Sequence, residues 1–221
     1  MKQLQTLTVG LLNLALLGVL CVFLASPGQA DQPYDLIFKT GTLDGISRNS
    51  VLAYQRTTVA PQNQELADTS TGTINLSFAE NDMAHLEFLQ KEKHRKIGEF
   101  PANVGNPMIM YFVETVVRDM AGTAGGSPFY IRNRVKASLI EDAPVEDVEV
   151  EYQGKQVQAK SVTLSPFRDD PNRAKMRGFE NLALTITMSD QIPGWYHSLK
   201  AGTGNDVYSN EIVLQPFEGT K

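Results

Sequence analysis

Apolar and polar positions alternate along most of the chain, and a period of two predicts half-buried strands. "SVLAYQRTTV" (50–59) is rich in β-branched and aromatic residues and predicts a strand. In "TINLSF" Ile74, Leu76 and Phe78 alternate with polar neighbours, and in "AHLEFLQ" Leu86 and Phe88 oppose His85 and Glu87. The turn "ENDM" between these stretches makes them a hairpin with one buried face. "VEDVEVEYQGKQVQAKSVTL" predicts another hairpin around Gln153-Gly154, and "LALTITMS" and "SNEIVLQPF" predict the last strands. "YDLIFKTG" also reads as strand-like, while "APQNQELADTSTG" and "DQIPGWYHSLKAGTGND" read as loops.

The period changes in the middle of the chain. "NPMIMYFVETVVRDM" (106–120) carries a broad apolar stripe, with Met108, Ile109, Phe112, Val113, Val116, Val117 and Met120 at helical spacing. Asn106 supplies a cap, Pro107 suits the first helical position, and Glu114 and Arg118 are spaced for an ion pair four apart. "AGTAGG" ends this helix. Ser127-Pro128 repeats the start signal for a second helix over "PFYIRNRVKASLIE", with Ile131, Val135 and Leu139 on one face.

Strands, two helices and strands again predict an α+β fold in one domain over residues 31–221. Its core is a large curved antiparallel sheet, half-barrel-like, with the two central helices packed on the concave face. This order of elements resembles the half-barrel-plus-helices design of bacterial periplasmic lipoprotein carriers and related lipid-handling proteins. It departs from them in its first element, which is strand-like here and a helix there. The resemblance implies an apolar ligand and transfers no individual residue.

The first thirty residues change the picture of where the protein works. Lys2 precedes an apolar run from Leu7 to Leu24, Pro27 breaks it, and Gly28-Gln29-Ala30 offers small residues to a signal peptidase. The expectation is a cleaved signal peptide over residues 1–30, a periplasmic protein, and no stable transmembrane anchor after processing. The single cysteine, Cys21, lies inside that segment, so residues 31–221 can form neither a disulfide nor a Cys-based zinc site. The net charge of −5, without a basic stripe interleaved with aromatics, argues against nucleic acid as a partner.

Catalytic and metal motifs are sparse. His85, His94 and His197 show no metal-ligand spacing, "AGGSPFY" is not a nucleophile elbow, and the acids of "EDAPVEDVEVE" alternate onto a solvated strand face. Neither a metal nor a cofactor is expected, and the chain is expected to act by binding rather than catalysis. Two charged groups remain as contacts for an anionic headgroup or a partner: Arg168, Arg173, Lys175 and Arg177 in "SPFRDDPNRAKMRGFEN", and Arg132 and Arg134 on the second helix.

Two functions follow as expectations. The first is a periplasmic binding or carrier protein for a lipid-like or other apolar ligand lying between the apolar helix and the concave sheet. Met108, Met110, Phe112, Val116 and Met120 would line its site, since methionine adapts to varied shapes, with Trp195 and Tyr196 at the rim. The second is an envelope interaction or assembly factor with a dry core, docking a protein partner. A third class, an envelope hydrolase, needs a cleft where His197 or a carboxylate pair meets a nucleophile, and no motif supports it.

Overall fold

The computed structural model describes residues 32–141, 143–204 and 206–217, so the signal-peptide reading lies outside the described residues. Nine antiparallel strands form one curved, unclosed sheet in the order β4-β3-β2-β1-β9-β8-β7-β6-β5. The first half of the chain supplies β1 (Leu52–Val59), β2 (Gly72–Ala79), β3 (Met83–Gln90) and β4 (Lys93–Pro101). The second supplies β5 (Val145–Tyr152), β6 (Lys155–Leu164), β7 (Ala183–Met188), β8 (Tyr196–Gly202) and β9 (Ser209–Leu214). The halves join at the middle of the sheet, where Tyr54 of β1 pairs with Leu214 of β9. This leaves β4 and β5 as the two edges.

Both expected hairpins form with the expected faces. Ile74 pairs with Phe88 and Leu76 with Leu86, all four buried. At the tip of the β5–β6 hairpin Gln153 and Gly154 have φ of 51° and 73°, the two positive values that a tight two-residue turn requires.

Between the edge strands run α3 (Met108–Ala124) and α4 (Pro128–Ser138). Met108, Phe112 and Val116, four residues apart, are fully buried in one core with Leu52, Tyr54, Leu184 and Ile212 of the sheet. The helix therefore fills the concave face. Asn106 does cap it, because its Oδ1 accepts the Met108 N–H at 3.0 Å. The same side chain donates to the Tyr54 hydroxyl (2.9 Å) and the Gly194 carbonyl (2.7 Å), so it also fixes where the helix starts on the sheet.

Four local expectations are corrected. "YDLIFKTG" opens not as a strand but as α1 (Pro33–Ile37), since Pro33 starts a helical turn that buries Leu36 and Ile37. The first described element is thus a helix. The loop at 60–72 contains α2 (Gln64–Ser70), capped by the Asn63 side chain accepting the Leu66 N–H at 3.0 Å. β8 occupies a stretch expected to be loop; Tyr196, Leu199 and Ala201 face inward, but a register shift at Thr187/Met188 breaks the period of two. Glu114 pairs with Arg132 of α4, at 2.7 and 2.8 Å, where Arg118 was the expected partner. No described helix is long and apolar enough to cross a membrane.

Candidate functional site: a groove between the helices and the 165–181 loop

The C-terminal end of α3, the turn into α4 and the loop at 165–181 enclose a groove of about 460 Å3, lined in part by Met120, Ala124, Ile131 and Met176. All four are buried and form its apolar floor. Lys175, Asn172 and Tyr130 supply polar groups at its edge. This volume falls in the range of about 300–1,000 Å3 typical of small-ligand pockets. Gly125 and Gly126 make the wall on the turn side; their φ of 79° and 95° reverse the chain between the helices, a conformation that disfavours side-chain-bearing residues.

The loop is cross-linked by its own charged side chains. Arg173 Nη1 donates to the carbonyls of Phe167 (2.6 Å), Arg168 (3.1 Å) and Glu180 (2.7 Å), and Nη2 donates to Asn181 Oδ1 (2.7 Å). One guanidinium thus closes both ends of the loop onto itself. Asp170 is buried and ties the loop to α4. The Tyr130 hydroxyl lies 2.7 Å from its Oδ2, the Asn172 N–H donates to Oδ1 at 2.8 Å, and Arg134 Nε stands 2.9 Å from Oδ2. That Nε makes a close ion pair, but its N–H points off the hydrogen-bond line. Burial pushes the Asp170 carboxyl up; Tyr130, Asn172 and Arg134 together outweigh this and hold it below the usual carboxylate value.

The six basic residues of the sequence analysis divide accordingly. Arg132, Arg134 and Arg173 are engaged with Glu114, Asp170 and the loop carbonyls. Arg168, Lys175 and Arg177 are exposed, and their side chains have no partner among the described residues. Lys175 stands at the groove itself.

The expected lining residues divide as well. Met108, Phe112 and Val116 are core residues and line none of the described grooves; Met120 lines the groove, and Met110 is half-exposed at the other end of α3. Trp195 and Tyr196 are buried, donating to the carbonyls of Leu36 (2.9 Å) and Ile37 (2.5 Å), which pins α1 to the start of β8. Met176, Ile131 and Tyr130 complete the groove, and none of them was expected as a ligand contact. Their signal was faint: Ile131 lay on an expected core face, and Met176 sat alone in a charged loop.

A second feature escaped the sequence reading. Arg56 of β1 is buried beneath α3, with Nη2 3.1 Å from Asp119 Oδ2, Nη1 donating to the Tyr111 hydroxyl (3.1 Å) and Nε to Asn210 Oδ1 (3.2 Å). Tyr208 donates its hydroxyl proton to Asp119 Oδ2 at 2.7 Å. Burial raises the Asp119 carboxyl above its usual value despite the Arg56 and Tyr208 contacts. The signal available was Arg56 in alternation with Leu52 and Tyr54, which directs its side chain inward.

The remaining grooves differ in character. The largest, about 1,280 Å3, is polar and lies by α2 at one end of β1–β3. A small one of about 330 Å3 is bordered by the exposed apolar side chains of Tyr34, Val104 and Met110. Two others adjoin Trp195. No group of three or more His, Cys, Asp or Glu side chains placed to hold a metal occurs among the described residues.

No protein-family model matches the chain, and no curated protein sequence matches it. Among solved structures, the Mycobacterium tuberculosis lipoprotein LppX is similar to this chain with a TM-score of 0.38 and 7% identity, over 86% of this chain and 97% of that one.

Proposed function

We propose that the protein is an exported, non-catalytic carrier that binds a lipid-like ligand bearing an anionic group. The observation behind this reading is the groove floored by Met120, Ile131 and Met176 with an unpartnered Lys175 at its edge. An alkyl segment would lie on the methionines, which adapt to chains of different shape. The anionic end would meet Lys175, with Arg168 and Arg177 adding positive charge on the same loop. Export to the periplasm rests on the Leu7–Leu24 run and the small residues that follow Pro27. The concave face is occupied by α3, so the ligand is assigned to the edge of the helix pair rather than beneath it.

Binding of a dansyl-labelled undecanoate to delipidated protein tests this reading. Saturable emission enhancement is expected, weakened about tenfold by Lys175→Glu, while a dansyl-labelled alkyl alcohol is indifferent to that change. Absence of saturable binding, or equal affinity in Lys175→Glu, would overturn it.

A second reading, docking of an envelope protein, is favoured by the exposed Tyr34, Val104 and Met110 beside α1. It predicts that Met110→Lys abolishes the protein's function in the cell while leaving undecanoate binding intact.

A further inference from the structure

Trp195 is the only tryptophan of the chain, and its φ of 81° places a bulky residue in the left-handed region. The turn before it explains how this is held. Pro193 and Gly194 occupy the central positions, the Trp195 N–H donates to the Ile192 carbonyl at 3.0 Å, and the indole N–H is fixed on Leu36. Over the ring, at the groove side, lies a cation of the chain's own. The Lys39 ammonium lies 4.0 Å from the ring centroid and pairs with the Asp190 carboxylate.

These three residues stand where two grooves meet, of about 520 and 460 Å3, and each of them lines both. The larger also carries the carboxylates of Asp35 and Asp147 and the ammonium of Lys160. Lys160 is 3.3 Å from Asp147, whereas the exposed Asp35 carboxylate has no partner among the described residues. With Lys39 withdrawn, the groove would present an aromatic face and three carboxylates against one ammonium. That combination attracts an organic cation.

We propose that the Trp195 face is a binding site for an organic ammonium group, of the trimethylammonium class, and that the Lys39 ammonium fills this position in its place. This site is separate from the α3–α4 groove, and its assignment is independent of the carrier reading. Exchange is feasible because the Lys39 side chain is 39% exposed and can turn into water without crossing the core. A primary ammonium is strongly hydrated and recovers its water on leaving. A quaternary ammonium is weakly hydrated, and its methyl groups gain apolar contact with the ring while Asp190 and Asp35 balance its charge.

The single tryptophan makes the test direct. Tetramethylammonium chloride is titrated into the protein against sodium chloride at matched ionic strength, following tryptophan emission. A saturable change is expected with tetramethylammonium alone. Lys39→Gln, which keeps a stem over the ring without the competing charge, should bind about tenfold tighter; adding Asp190→Asn should reverse that gain. The unaltered protein gives a second readout: the Lys39 ε-methylene protons, shifted upfield by the indole, should return to solvent values as tetramethylammonium is added. If neither emission nor the Lys39 resonance responds saturably, Lys39 and Asp190 are only a latch between α1 and the β7–β8 turn, and the proposal fails.

Discussion

Arg56 on β1 and Asp119 on α3 form a buried ion pair, Nη2 to Oδ2 at 3.1 Å, across the interface between the concave sheet and its helix. Neither group faces water, and every nitrogen of the guanidinium has a partner: Asp119, Tyr111 or Asn210. The pair ties the second half of α3 to β1, as Asn106 ties the helix start to Tyr54 and Gly194. Desolvation makes such a pair a weak source of net stability, yet a costly one to break on one side.

The first prediction follows from that asymmetry. Asp119→Ala or Arg56→Ala should each cost about 3–5 kcal/mol in urea unfolding at neutral pH, by leaving a charge buried without its counter-ion. The double variant Arg56→Met, Asp119→Leu should be far closer to the unaltered protein than the sum of the single changes. Singles costing less than about 1 kcal/mol would mean that water reaches the pair.

Phe112 tests whether the apolar helix is core or a lid. Its side chain is fully buried against the sheet and borders none of the described grooves. Phe112→Ala should therefore cost about 3–5 kcal/mol of stability, measured by denaturant unfolding, and leave undecanoate affinity unchanged wherever the variant is folded. Loss of affinity with little loss of stability would place the ligand beneath α3.

Asp170 predicts a dependence on pH. Its folded carboxyl titrates below the ordinary value of 3.8, so the folded state binds a proton less readily than the unfolded state. Its stabilisation is fully present above 3.8 and fades as pH falls through that value toward the lower folded one. Asp170→Asn should cost about 1.5–3 kcal/mol at pH 7, the range for hydrogen bonds to a charged group. The difference between the two proteins should shrink as the pH is lowered toward 3, read from urea midpoints. A constant difference across that range would show that Asp170 acts through shape and not charge.

Local chemistry made parts of this fold legible in the sequence. Alternation at Ile74–Phe78 and Leu86–Phe88 carried the β2–β3 hairpin, and Asn106-Pro107 and Ser127-Pro128 marked both long helices. The failures have local causes too. α1 is a five-residue apolar and aromatic stretch that mimics a strand, and β8 carries no β-branched side chain and is itself bulged, with His197 the extra residue opposite β7. The groove was less legible, since it depends on tertiary placement. Met120 and Lys175 lie fifty-five positions apart, and contacts such as Asp170–Tyr130, Asp170–Arg134 and Asn172–Tyr130 bring the loop against the helices. Nor does any periodicity couple Arg56 to Asp119.

Native mass spectrometry of the protein purified from its own cells, followed by organic extraction, tests the carrier reading most directly. A co-purifying anionic, lipid-sized mass that disappears on denaturation and is depleted in Lys175→Glu is the expected result. A bare protein mass, unchanged after incubation with envelope lipids, would contradict it.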